Sequence, residues 1–592
     1  MIRRPLRPLA RILRARIRGE DPDKIEAEAR AARMRSLRAA EKRRAELRLW
    51  FLAAVFLAAF FTVGGKMFVL ATTEAVEPVA SVNTSPIVNQ RADIVDRNGA
   101  ILATNLATAS LYANPQEMID RVAAAEGLAQ IFPDLDAADL LRQFSGTRKF
   151  IWVRRKMSPE QQQAVYDLGE PGLQFGPREL RLYPNGAFAA HILGGTSFGR
   201  EGVYAAEVIG TAGVELAFDS YLRDPANQGA PLRLSLDMPV QAAMEQVLAG
   251  GMALMNARAA TSVLMEVDTG RIVAMASLPD FDPNHRPLPP TSGDPADSPL
   301  FSRAVQGRYE LGSTFKIFVA AQALESGYAT PDTMIDTSGP LVWGRFRIRD
   351  FHDYGPSLSL RDVIVQSSNI GAARLAAAMG AEAQQAFLAK LGLLDPLELN
   401  LPESTHSRPL PPPNWSELST MTVSYGHGIA VTPLHLAAAY SSLVNGGLRV
   451  RPSLLMDSPL PTEADRVISP QTSASVREML RAVVSRGTAS LGDVEGYEVG
   501  GKTGTADKPD PQGGYYDSRV IATFAAAFPM SNPRYVLIVT LDEPEDTTGT
   551  EPRRTAGWTS VPVGAEIIRR IAPLMGMRPN YSELAPVVLA SQ

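Results

Sequence analysis

Cysteine is absent from the 592 residues, which excludes disulfides and thiolate metal sites. Histidine is scarce: the six residues include no H-x-x-x-H or H-x-E pattern, so no metal site is expected. His191, His352 and His427 stand at no spacing that suggests a serine-hydrolase triad. Lysine is the third scarcity. Only nine of the 59 basic residues are lysine, and after residue 230 it occurs only at positions 316, 390, 502 and 508.

Two of those four lysines fall in motifs. Tyr309-Glu310-Leu311-Gly312-Ser313-Thr314-Phe315-Lys316 contains the one Ser-x-x-Lys of the chain. Residues i and i+3 share a helix face, so Lys316 can reach the Ser313 hydroxyl and take its proton. Arginine could not do this, because a guanidinium stays charged whereas a buried lysine can approach neutrality. Ser367-Ser368-Asn369 and Lys502-Thr503-Gly504 follow in order, and together the three fragments outline an acyl-transfer site built on serine and lysine. A helix over Ser313 to Glu325 puts the nucleophile at its N-terminal end, where the helix dipole favours developing negative charge. Taken alone, Ser367 or Asn369 could serve as a helix cap, and Thr503 and Thr505 could be ordinary strand residues. Gly504 lets a substrate backbone come close to the strand.

Two further patterns point elsewhere. Residues Gly496 to Thr503 satisfy the phosphate-loop pattern G-x-x-x-x-G-K-[ST]. A phosphate loop must open a helix, and Gly504, Pro509, Pro511, Gly513 and Gly514 forbid one. Gly195-Thr196-Ser197-Phe198-Gly199 satisfies the nucleophile elbow G-x-S-x-G, but its flanks make a poor strand and a poor helix start. A glycine-rich turn is expected there.

The near-neutral balance of −4 hides an asymmetry. Residues 1–48 carry sixteen Arg and Lys against seven acids, leaving thirteen net negative charges for the rest. From Leu49 to Ala71 the only charge is Lys66, and 23 residues at about 1.5 Å each span a hydrocarbon core of about 30 Å. Arginine before the span predicts a cytoplasmic N-terminus and an uncleaved signal anchor, with the remainder outside the membrane. The basic tail is read as solvated and topogenic; no nucleic-acid partner is expected.

The expected organisation is a tail over 1–48, a transmembrane anchor over 49–71, a linker and non-catalytic pedestal over 72–230, a second domain over 231–575 and a C-terminal tail over 576–592. In the pedestal, helices are expected over 123–131 and 159–168, and Asp96-Arg97-Asn98-Gly99 reads as a turn between apolar runs. In the second domain a helix over 241–254, strands over 261–267, 272–277, 499–505, 521–528 and 535–541, and helices over 474–484 and 562–571 are expected.

The region after residue 230 resembles the transpeptidase domain of class B penicillin-binding proteins, the membrane-anchored enzymes that cross-link bacterial peptidoglycan. Besides the three fragments, Gly270 to Pro279 with Phe281-Asp282-Pro283-Asn284 is similar to the family's strand and loop before the nucleophile. Tyr425-Gly426-His427-Gly428 with Val431-Thr432-Pro433-Leu434 resembles the division-specific members, called penicillin-binding protein 3. Upstream, Arg91 to Gly99, Arg181 to Gly186 with His191, and Gly210 to Glu215 resemble the three pedestal motifs. Leu311 departs from the proline common in relatives but lies outside the catalytic set.

The resemblance implies an α/β (α+β) fold in which an antiparallel sheet flanked by helices carries the site. It implies that Ser313 attacks a stem peptide ending in D-Ala-D-Ala and that an amine on a neighbouring stem resolves the acyl-enzyme. It further assigns Lys316 as base, Ser367 as proton relay to the leaving amine, and Asn369 as partner of the donor backbone and of Lys316. Lys502 and Thr503 would hold the terminal carboxylate beside Gly504 and Thr505, and the backbone amides of Ser313 and Thr505 would form the oxyanion hole. No cofactor or metal is called for. Implied partners are β-lactams, the inner membrane, a membrane-embedded glycan polymerase of the SEDS family and other division proteins, at a septal, periplasm-facing location. The competing readings are an elongation-type transpeptidase, a non-catalytic scaffold or β-lactam sensor, and a β-lactamase or carboxypeptidase.

Overall fold

The computed structural model describes residues 9–19, 21–72, 91–201, 206–510 and 512–581. The chain divides into two compact units, residues 1–84 and 85–592. In the first, helices Leu9–Arg18 and Pro22–Thr72 carry the basic segment and then the apolar run, of which Leu49–Met67 is long and apolar enough to cross a membrane. The expected linker lies outside the described residues except for its start at Thr72, and so does the tail from residue 582 onward.

The second unit is organised by a five-stranded antiparallel sheet in the order Gly500–Pro509, Tyr515–Phe528, Tyr535–Asp542, Ala259–Glu266, Ile272–Leu278. Strand Tyr535–Asp542 is buried along all but its last residue, which requires cover on both faces. Helices Met238–Leu254 and Ser560–Leu574 pack on each other and on the sheet, and Pro433–Val444 packs on it as well. The expected elements are present, but strands Gly500–Pro509 and Tyr515–Phe528 run about four and six residues beyond the expected 499–505 and 521–528. Asp237 caps the first helix and Pro239 follows within its first turn, as the sequence signals for a helix start require. Gly500–Pro509 is an edge strand, so one side of it is open to another segment or to a ligand.

The pedestal has its own sheet. Strand Ile101–Ala113 pairs with Ile151–Met157, Leu173–Leu182 and Ile94–Val95, the last of which runs parallel to Leu232–Arg233. Helices Arg121–Ile131, Ala137–Phe144 and Pro159–Asp167 enclose a separate apolar core around Leu111, Leu128, Phe132 and Phe144. Lower down, Ile94, Leu102, Tyr183 and Val214 belong to the same core as Val240 and Val263 of the second domain. The expected Asp96–Gly99 turn is present, with Gly99 at φ 89° and Asp96 accepting from the amides of Asn98 and Ala100.

The three pedestal motifs meet in one buried ion cluster. Glu215 pairs with Arg91 at 2.6 Å and Arg181 at 2.7 Å, all three side chains being almost fully buried. Arg91 also pairs with Asp219 at 2.7 Å. The expectation at Gly195 to Gly199 is corrected. Gly195–Glu201 is a strand paired with Ala206–Ala212, so Ser197 sits in a hairpin arm, neither in a turn nor at a nucleophile elbow.

Candidate active site

Gly312–Phe315 forms one 3-10 turn that passes directly into helix Lys316–Glu325, so Ser313 stands at the N-terminal end as expected. Lys316 is 1% exposed, and its Nζ lies 2.8 Å from Ser313 Oγ, 2.6 Å from the Ser367 carbonyl oxygen and 3.0 Å from Ser367 Oγ. Lys502 is fully buried, and its Nζ donates to the same Ser367 Oγ at 3.0 Å and to the Thr503 carbonyl at 3.1 Å. Ser367 Oγ therefore bridges two lysine nitrogens, one of which touches the nucleophile.

Burial, and secondarily the Lys502 charge, push Lys316 well below the ordinary lysine value against the opposing pull of Asp350. Burial lowers Lys502 to about 7. The arrangement supplies an amine that can be neutral at physiological pH beside a serine hydroxyl, which is what nucleophile activation needs.

Three backbone approaches hold the nucleophile's turn. Gly312 has φ +55°, and a Cβ there would lie 2.7 Å from the Thr505 carbonyl oxygen. A Cβ on Gly504 would lie 2.1 Å from the Leu311 oxygen, and one on Gly426 would lie 2.1 Å from the Gly312 oxygen. The edge strand and the Tyr425–Gly428 segment thus touch the turn main chain to main chain, bringing the backbone of Thr505 beside that of Ser313.

The Ser-x-Asn turn differs from expectation in two ways. Ser368 caps helix Asn369–Met379, accepting from the Gly371 amide, while Ser367 sits outside the helix at φ 64°. A non-glycine residue in that region is strained and is held there by its surroundings. Asn369 does not bond to Lys316; its side-chain amide donates to the Arg349 carbonyl at 2.9 Å. The turn is fastened by Asp350, which accepts from Ser368 Oγ at 2.6 Å and from the amides of Asn369 and Ile370. Asp350 is a positioning residue that the sequence did not reveal. The Thr503 hydroxyl bonds to that of Thr488 at 2.8 Å, and the Thr505 hydroxyl accepts from the Ala556 amide at 2.9 Å.

Ser313, Lys316, Ser367, Asn369, Thr503 and Thr505 line one open cavity of about 510 Å³, together with Phe351, His352, Tyr354, Tyr425, His427 and Trp558. Buried Lys502 stands just behind this wall, and the aromatic rim was not legible in the sequence. A cavity of about 240 Å³ between Phe218 and Arg451 is lined by neither lysine nor histidine, and its one carboxylate, Glu398, is paired with Arg451 at 3.0 Å.

Residues 260–568 match the family described as the penicillin binding protein transpeptidase domain, and residues 86–228 match the penicillin-binding protein dimerisation domain. The chain is 36% identical over 499 residues to the probable peptidoglycan D,D-transpeptidase FtsI of Caulobacter vibrioides, covering 82% of each protein. It is 27% identical to the peptidoglycan D,D-transpeptidase FtsI of Escherichia coli K12, over 84% of this chain and 86% of that one. The solved structure of penicillin binding protein 3 from Mycobacterium tuberculosis complexed with aztreonam superposes with a TM-score of 0.62 at 26% identity, covering 83% of this chain and 97% of that one.

Proposed function

The chain belongs to the class B penicillin-binding proteins of the penicillin-binding protein 3 type, and from that premise we propose that Ser313 is its nucleophile and Lys316 the base. The protein is a peptidoglycan D,D-transpeptidase of cell division with β-lactams as inhibitors. The observation that carries the residue assignment is Lys316 Nζ at 2.8 Å from Ser313 Oγ, buried beside a second lysine.

In this reading Lys316 takes the Ser313 proton as Oγ attacks the penultimate D-alanine carbonyl. The amides of Ser313 and Thr505 stabilise the oxyanion, each donor contributing about 3 kcal/mol by analogy with other acyl-transfer sites. Ser367, hydrogen-bonded to both lysines, passes a proton to the departing D-alanine amine. Lys502 and Thr503 bind its carboxylate, Gly504 admits the donor backbone, and Asn369 orients the donor from across the cavity. An amine of a second stem peptide then attacks the ester, forming the cross-link and freeing Ser313.

Among the described residues one helix, Leu49–Met67, is long and apolar enough to fit an inner-membrane anchor. The finer placement is part of the proposal: N-terminus cytoplasmic, residues 231–575 acting as the periplasmic catalytic domain on the 72–230 pedestal, location at the septum, and partnership with a SEDS-type glycan polymerase and other division proteins. A reporter active only outside the cytoplasm is expected to work after residue 90 and to be silent after residue 45; the reverse overturns this topology. A fluorescent fusion spread along the side wall overturns the septal location.

The catalytic assignment is tested by fluorescent penicillin on the full chain in detergent. One label per chain is expected on Ser313, and none in Ser313→Ala. An adduct mapped to another serine overturns the assignment.

A further inference from the structure

Resting on that acyl-enzyme reading, we propose that His427, backed by Glu310, is the group that strips a proton from the acceptor's ammonium in the second half-reaction. The segment Tyr425–Gly428 does more than mark a subtype. His427 lines the cavity that holds Ser313 and Lys316. Its ring stands between Tyr425 and Tyr515, with centroids 5.4 and 5.8 Å away. Nδ1 faces Glu310 Oε2 at 3.6 Å, and Nε2 has no hydrogen-bond partner among the described residues.

Glu310 is fixed where it can support the ring. It accepts the Gly428 amide at 3.0 Å and the Tyr515 hydroxyl at 3.1 Å on both oxygens. It is also three residues before Ser313, so the chain entering the nucleophile's turn aims the carboxylate as well. With Glu310 on the Nδ1 side, Nε2 is the basic nitrogen. Burial holds His427 below its ordinary value, reinforced by Lys316 and opposed by Asp507, so the ring is neutral at neutral pH. Burial raises Glu310, with the Gly428 amide and Tyr515 pulling the other way and Asp507 adding to the rise. Glu310, Asp507, Lys316 and the phenols of Tyr425 and Tyr515 are the titratable groups around the ring.

The chemistry requires such a group. A primary amine of ordinary basicity arrives at neutral pH as an ammonium without a lone pair. Its nitrogen must lose two protons before the amide is complete. One passes through Lys316 to Ser313 Oγ as the C–Oγ bond breaks. The other has no route through Lys316, which can carry one at a time. It goes to His427 Nε2 as the C–N bond forms and the nitrogen becomes more acidic, and then to water. The imidazolium formed in between is paired with Glu310, at a distance that shortens once the ring is charged.

The test uses the full chain in detergent, a benzoyl-D-alanyl thioester donor, and two acceptors: D-alanine, which is an ammonium at neutral pH, and hydroxylamine, which is not. His427→Gln is expected to slow transfer to D-alanine by about 10²-fold and transfer to hydroxylamine by less than about threefold. Glu310→Gln is expected to act in the same direction by about tenfold and provides a second variant. Equal losses with both acceptors mean that His427 only shapes the cavity, and overturn the inference, as does undiminished transfer to D-alanine. Either result with Ser313 still labelled by penicillin leaves the acyl-enzyme reading standing; a wild type that takes no penicillin overturns both.

Discussion

Two of the places where this molecule buries charge are built on opposite rules. At the pedestal base, Arg91 and Arg181 close on Glu215, with Asp219 completing the set. In the catalytic cavity Lys316 and Lys502 are equally buried, share the hydroxyl of Ser367 and have no carboxylate bonded to either nitrogen. The first cluster offsets the desolvation cost with opposite charge and joins three distant segments of chain. The second leaves the cost standing, and the result is two amines that give up their protons more readily than an ordinary lysine, Lys502 at about 7. Burial makes one cluster structural and the other reactive; the sign of the neighbours decides which.

The largest break in this contrast is Lys316→Arg. The larger, permanently charged guanidinium cannot deprotonate Ser313, so penicillin acylation of the folded fraction is expected to fall by at least about 10³-fold, with a lowered melting temperature from the added buried charge. Wild-type acylation by this variant would remove lysine from the base role.

Next, Glu215→Ala strands the buried guanidinium of Arg181, leaves Arg91 with Asp219 alone, and should cost about 3–5 kcal/mol in stability, read as a lowered denaturant midpoint. The acylation rate of the folded fraction is expected to be unchanged. A loss of acylation without a loss of stability would show the two clusters to be coupled.

Lys502→Met sharpens the comparison from the other side. Acylation is expected to slow by about 10²-fold as the carboxylate contact is lost. Stability at pH 6 should nevertheless rise by about 1–4 kcal/mol, because a buried unpaired cation has been replaced by an apolar chain.

That gain depends on pH. With the folded value of Lys502 near 7 and the unfolded value near that of ordinary lysine, the unfolded chain binds the extra proton between them. Wild-type stability therefore rises with pH across that window, and the advantage of Lys502→Met should shrink from pH 7 toward pH 10. A constant advantage measured by denaturant titration would mean that Lys502 is not desolvated.

How much of this was legible follows from the range of each interaction. Ser313 and Lys316 are one turn apart, so the spacing alone predicts their contact. The inner sheet strands were legible as largely apolar runs, and the failed phosphate loop was legible from its glycines and prolines. Asp350 was not, because its bonds to Ser368 and Asn369 close across 18 and 19 residues through a turn of no regular pattern. Glu310 and Tyr515 meet across 205 residues, which no local rule anticipates. The sequence offered Ser367 or Asn369 as a cap for the helix that follows; the structure uses Ser368, with Ser367 at positive φ outside the helix and both Ser367 and Asn369 lining the cavity. At Gly195–Glu201 the glycines suggested a turn, but pairing with Ala206–Ala212 absorbed them into a strand.

The turn carrying Ser313 is gripped at Gly312, Gly426 and Gly504 by close main-chain approach. Such a grip has no adjustable part: adding a methyl group, the smallest side chain available, already overlaps a neighbouring backbone oxygen. Selection acting on this enzyme, whether for a new substrate or against a drug, therefore has no graded way to move the nucleophile. Phe351, His352, Tyr354 and Trp558 line the same cavity outside those three positions, so a change of ligand fit that leaves the grip in place has to be made there.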